Sequence, residues 1–123
     1  LHYGERGGGM IINIASRAAF RGDDPDAMHY AASKGGVITL TKSIARGFAG
    51  RGVLAYAVAP GWVRTEMAEA YLAAHAEELA RDLPMGVAAP PEDVANTVVF
   101  LASGAVPHMT GATLDINGAS YVR

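Results

Sequence analysis

Three short apolar runs constrain this chain more than anything else in it: residues 10–15 (Met-Ile-Ile-Asn-Ile-Ala), 53–59 (Val-Leu-Ala-Tyr-Ala-Val-Ala) and 112–116 (Ala-Thr-Leu-Asp-Ile). Each has strand length and is bounded by glycine or proline. The first two lack one-sided alternation and read as strands buried on both faces. Residues 27–49 contain no proline, and Val37, Leu40, Thr41, Ile44 and Phe48 recur there at helical spacing. The Gly35-Gly36 pair inside that helix costs about 1 kcal/mol per glycine against alanine, so a close approach to the backbone is expected there. Residues 66–81, rich in Ala, Glu and Leu, predict one helix or two short ones ending before Pro84. Pro90-Pro91-Glu92-Asp93 opens a further helix with Val94, Val98, Val99, Leu101 and Ala102 on its apolar face. Residues 17–26, with Gly22, Pro25 and three aspartates, predict a loop.

Strand, helix, strand, helix, strand is the order of an α/β fold with a parallel sheet and right-handed crossovers. Three strands make half of a doubly wound sheet. At 123 residues with 50% hydrophobic residues and a mean hydropathy of +0.16, the chain is at most one domain. It opens at Leu1 in a stretch that reads as a helix end running into Gly7-Gly8-Gly9, so it is expected to begin in mid-fold. A net charge of −2 with no basic run argues against a nucleic-acid partner. The absence of cysteine excludes disulfides and thiolate metal sites and fits a reducing compartment. No apolar run reaches the ~18 residues of a membrane span, and the expected location is cytoplasmic, with no membrane partner.

In such sheets ligands bind beyond the carboxyl ends of the strands. Ser16 follows the first strand, the turn Pro60-Gly61-Trp62-Val63-Arg64-Thr65 follows the second, and Tyr30 lies in the first turns of the helix between them. Tyr30 and Lys34 fall one helical turn apart on one face. A neighbouring cation favours a phenolate, and a phenol so placed can protonate an alkoxide or take the proton of an alcohol. Each piece has a plainer reading: a capping serine, a surface Tyr/Lys pair, a strand-ending turn. Trp62 reads as packing or pocket wall. The four histidines, His2, His29, His75 and His108, show no metal-ligand spacing. Met67, Tyr71, Leu72 and Leu79 form either a core face or one side of a substrate lid.

With Asn13-Ile14-Ala15-Ser16, Tyr30-x-x-x-Lys34 and Pro60 to Thr65 in this order, the chain resembles the C-terminal half of a short-chain dehydrogenase/reductase, a Rossmann-like fold. The likeness extends through Pro91-Glu92-Asp93-Val94-Ala95, Phe100-Leu101-Ala102-Ser103 and Thr110-Gly111 to Asn117-Gly118. It implies an NAD- or NADP-dependent, 3-oxoacyl-reductase-like enzyme that interconverts a small carbonyl compound and its alcohol by hydride transfer at the nicotinamide C4. It implies that Tyr30 is the general acid/base, that Lys34 binds the nicotinamide ribose and favours the phenolate, and that Ser16 hydrogen-bonds the substrate oxygen. Pro60, Gly61, Val63 and Thr65 would meet the cofactor, Val63 through its backbone and Thr65 through its hydroxyl. A homodimer or homotetramer is implied in the same way.

The chain departs from the family pattern at Ala15, where a first serine is common, at Ala19, where a glycine is common, and at Val87, where many relatives carry arginine. The glycine-rich phosphate loop, the ribose discriminator and the relay asparagine belong to the family's N-terminal half. Gly7-Gly8-Gly9 precedes a strand instead of following one, so it is no phosphate loop. Residues 1–123 therefore read as one partial domain. Two other functions are compatible with the motifs. One is a non-catalytic module with residues 27–49 as an association face, which titration with NADH and NADPH discriminates. The other is an epimerase or dehydratase with a similar Tyr/Lys pair, which a labelled hydride discriminates.

Overall fold

In the computed structural model, which describes residues 5–123, the three apolar runs form one parallel sheet in the order β1-β2-β3. These are Gly9–Ile14 (β1), Val53–Pro60 (β2) and Thr113–Ile116 (β3). Gly9 pairs with Val53 and Ile14 with Val58 at the two ends of the first ladder. The second runs from Ala57 opposite Thr113 to Pro60 opposite Ile116. Parallel neighbours need a crossover. The first contains a short helix Ala18–Arg21 (α1) and the 21-residue helix Met28–Phe48 (α2). The second contains Glu66–Ala74 (α3), Ala76–Asp82 (α4) and Pro91–Ala102 (α5). Of the helix end expected to run into Gly7-Gly8-Gly9, residues 1–4 lie outside the described residues, while Glu5 is helical and Arg6-Gly7 form a turn.

Alternation along β2 sorts the core into two layers, because successive side chains point to opposite faces. Ala57 and Ala59 pack with Ala15 and Ile38 on the α2 side. Tyr56 and Val58 pack with Leu101, Val94 and Val98 on the α5 side. The alanine face lets α2 lie close, and its one buried polar contact is closed. Thr41, fully buried, accepts a hydrogen bond from Asn13 Nδ2 at 2.9 Å and donates to the Val37 carbonyl at 2.8 Å.

Several sequence expectations are corrected. The buried stripe of α2 is Ile38, Thr41 and Ala45, whereas Leu40 is 56% exposed. Two apolar stripes run along this helix, and the shallow alanine face accepts the one with the smaller residues. On α5, Val94, Val98 and Leu101 face the sheet, while Val99 is 68% exposed and Ala102 is exposed, each rotated about 100° off that stripe. Strand β1 is half-buried rather than covered on both faces, because it is an edge of the described sheet. Residues 17–26 are not all loop: α1 and the start of a 3-10 turn at Pro25–Ala27 occupy part of them. Among the described residues nothing approaches Gly35-Gly36 closely. A Cβ on Gly35 would lie 3.9 Å from the Ala19 carbonyl oxygen, and one on Gly36 would meet nothing within 4 Å.

Candidate active site

The β1–β2 ladder continues one step past its last paired residues and carries Ser16 to the tip of β2. Ala15 N–H donates to the Val58 carbonyl at 2.7 Å, and Arg17 N–H donates to the Pro60 carbonyl at 2.8 Å. Between these two bonds Ser16 has little freedom. Its Oγ accepts from Ala18 N–H at 3.1 Å, as a serine at a helix start does. Among the described residues no acceptor takes the Ser16 hydroxyl proton, so that O–H is available to a ligand.

Tyr30 is the third residue of α2, 42% exposed, and lines the same cavity of about 360 Å³ as Ser16. Lys34 follows one turn later, with Nζ 5.6 Å from the centroid of the Tyr30 ring. The ammonium donates to the Ile14 carbonyl at 3.0 Å, so the end of β1 anchors it beside the phenol. The helix thus delivers phenol and cation together, and the strand end delivers the serine to the same hollow.

The turn after β2 behaves differently from residue to residue. Gly61 joins Ser16 and Tyr30 in the cavity wall, whereas Lys34, Pro60, Val63 and Thr65 lie off that wall. Val63 bridges to Ala89, with Ala89 N–H donating to the Trp62 carbonyl at 3.0 Å and Arg64 N–H to the Ala89 carbonyl at 2.8 Å. In this pattern the Val63 N–H is left without a partner among the described residues. Thr65 caps α3, its Oγ1 accepting from Ala68 N–H at 3.3 Å. The missing side chain of Gly61 is required by packing inside the protein. A Cβ there would stand 2.9 Å from Asn117 Cβ and 3.2 Å from Asn117 Cα. Gly61→Ala is therefore expected to cost about 1–3 kcal/mol through overpacking, read as a lowered denaturation midpoint of the protein. An unchanged midpoint would show that Asn117 yields freely.

The far wall of the cavity comes from α3 and α4. Trp62 and Tyr71 stack at 5.1 Å between centroids, and Tyr71 and His75 at 4.0 Å, giving three rings in a row. Leu79 is buried beneath them, whereas Met67, grouped with this face from the sequence, is 94% exposed. Arg17, Arg21 and Asp82 also line the hollow and escaped the sequence reading. Arg17 is 6% exposed, and no local pattern marks a buried arginine whose partner lies far along the chain.

A strand-tip serine, a helical Tyr/Lys pair and a parallel sheet with helices on both faces are the features to set against known proteins. The family model described as enoyl-(acyl carrier protein) reductase matches residues 2–119. The chain belongs to the short-chain dehydrogenase/reductase family. The 3-oxoacyl-[acyl-carrier-protein] reductase of Rickettsia felis is 41% identical over 110 residues, 89% of this chain and 45% of that protein. That of Staphylococcus aureus strain Mu50 is 40% identical over 114 residues, 93% of this chain and 46% of that protein. Among solved structures, ElxO with NADP bound superposes with a TM-score of 0.87 at 32% identity, covering 97% of this chain and 49% of ElxO. A short-chain dehydrogenase/reductase of Brucella melitensis, titled glucose/ribitol dehydrogenase, gives 0.85 at 30% identity over 94% of this chain and 46% of its own. The chain thus spans about half the length of the short-chain dehydrogenase/reductases it matches.

Proposed function

We propose that this chain is the C-terminal catalytic half of an NAD(P)-dependent oxidoreductase interconverting a ketone or aldehyde and its alcohol. The observation that carries the reading is that Ser16 and Tyr30 border one cavity while Lys34 sits against the Tyr30 ring. Two hydroxyl protons can then reach one substrate oxygen, with a fixed positive charge behind the phenol.

The residues present fit a nicotinamide dinucleotide. Lys34 keeps N–H donors beyond the one given to Ile14. The Val63 N–H has no partner among the described residues, and Thr65 uses its oxygen in the cap but not its proton. Lys34 would hold the ribose, the Val63 backbone the carboxamide, and the Thr65 hydroxyl would stand near the phosphates, with Pro60-Gly61 shaping the turn. When bound, the dinucleotide supplies or accepts the hydride.

The work of this chain is positioning and proton transfer. In reduction, the carbonyl oxygen gains negative charge as its carbon is reduced. Ser16 O–H donates a hydrogen bond to that oxygen, and Tyr30 O–H gives it a proton. The Lys34 ammonium stabilises the charge then left on the phenol oxygen. In oxidation Tyr30 Oη takes the alcohol proton back. The three-ring wall excludes water from the carbonyl while this happens.

The direct test follows a deuterium label. The complete enzyme, given 4,4-dideuterated NADH or NADPH and a panel of carbonyl compounds beginning with 3-oxoacyl thioesters, is expected to place deuterium on the carbinol carbon of the product. Product formed with no net oxidation of the dinucleotide would turn the assignment toward an epimerase or dehydratase.

A further inference from the structure

The structure assigns Arg17 a second task beside Ser16: we infer that it is a positioning residue, latching the lid helices α3–α4 to the loop that carries Ser16. This rests on the oxidoreductase reading above and extends it to a residue that acts through Ser16 and the cavity wall.

Arginine is seldom buried unless paired, and Arg17 has two side-chain partners, both met by its Nη1. Its Nη1 lies 3.1 Å from Asp82 Oδ2 at the end of α4. The same nitrogen donates to Ser120 Oγ in the C-terminal tail, and Ser120 in turn donates to the Asn117 carbonyl at 2.7 Å. Asp82 also receives Arg21 from α1, both of its oxygens lying 3.2 Å from Arg21 Nη1. The backbone of Arg17 is fixed at the same time, its N–H on Pro60 and its carbonyl accepting from Phe20 and Arg21. One residue therefore joins the strand tip, the Pro60-Gly61 turn, the lid and the tail.

The consequence is mechanical. Tyr71, His75, Glu78 and Leu79 form the cavity wall opposite Ser16 and Tyr30, and Asp82 is where that wall is tied down. Arg21 is exposed and adds little by itself, whereas the buried Arg17 side couples wall position to the residue next to Ser16. When the tie is cut, Ser16 and the wall no longer hold a carbonyl compound in one orientation.

The test uses the complete enzyme and four variants: Arg17→Gln, Arg17→Lys, Asp82→Asn and the Arg17→Gln/Asp82→Asn pair. A displacement on the ångström scale at a reacting centre costs about a hundredfold, so kcat/KM for the carbonyl substrate is expected to fall by that order in Arg17→Gln. KM should rise and kcat fall together, while the Kd for NADPH stays at the parent value. The double variant should be no worse than Arg17→Gln, since both changes cut one tie. Arg17→Lys, which keeps the charge, should recover part of the loss. Additive losses, an equal loss of NADPH affinity, or no recovery in Arg17→Lys would overturn the latch. If Arg17→Gln fails to fold, the half-exposed Asp82→Asn and Arg17→Lys carry the same kinetic comparison. Tyr30→Phe measured alongside separates the two levels. Full turnover there removes Tyr30 from the acid/base role in the reading above, whereas a dead Tyr30→Phe with parent-like Arg17→Gln and Asp82→Asn removes the latch alone.

Discussion

Replacing Tyr30 by phenylalanine is expected to lower kcat of the complete enzyme by about 10²–10⁴-fold, the usual contribution of a positioned acid/base group. The change removes one oxygen and keeps the ring. The contact with Lys34 Nζ, 5.6 Å from the ring centroid, survives, and so does the hold of Lys34 on the Ile14 carbonyl. Dinucleotide affinity should therefore stay near the parent value while the chemical step slows. Tyr30 is 42% exposed and lies in the first turn of α2, so the melting temperature should hardly move. Steady-state kinetics with a dinucleotide titration checks all three expectations. Turnover within a fewfold of the parent would assign the proton to another group, and Ser16 and Tyr71, the other hydroxyls in the cavity wall, would be the ones to change next.

The second large effect concerns stability. Tyr56 is 1% exposed at the centre of β2 and forms the α5-side core with Val58 and Leu101. Tyr56→Ala is expected to destabilise the complete enzyme by about 3–5 kcal/mol, the range for emptying a large aromatic site in a close-packed core. The neighbours offer poor compensation, because Val58 and Leu101 are themselves buried and held by strand and helix. Tyr56→Phe should cost far less, since no hydrogen bond to the Tyr56 hydroxyl occurs among the described residues. Denaturant unfolding of both variants provides the comparison. A loss below about 1 kcal/mol for Tyr56→Ala would mean that this layer repacks, contrary to the cavity rule.

Much of the site was readable before any coordinates. Tyr30 and Lys34 needed only the helical period to be placed on one face, and Ser16 only the end of an apolar run. The stretch between them was harder. Gly22 and Pro25 signal a loop, and they conceal the one-turn helix that starts under Ser16. The Gly35-Gly36 pair misled for a related reason: glycine permits a close approach without specifying one, and the close approaches among the described residues are between Gly8 and Gly52 and at Gly61 against Asn117. Arg17 and Asp82 gave no signal at all, because an ion pair spanning 65 positions has no period.

From the chain of amino acids alone came the alternation of apolar runs with helical segments, hence the parallel order, and the spacing that puts phenol and ammonium together. These are local properties, set by a repeat of two or of 3.6 residues. Tertiary contact decided which stripe of α2 meets the alanine face, why Gly61 cannot carry a side chain, and how Arg17 ties the end of α4 to the strand tip. Those choices depend on volumes and charges meeting across long sequence separations. Only the packed molecule brings them within a few ångströms of one another.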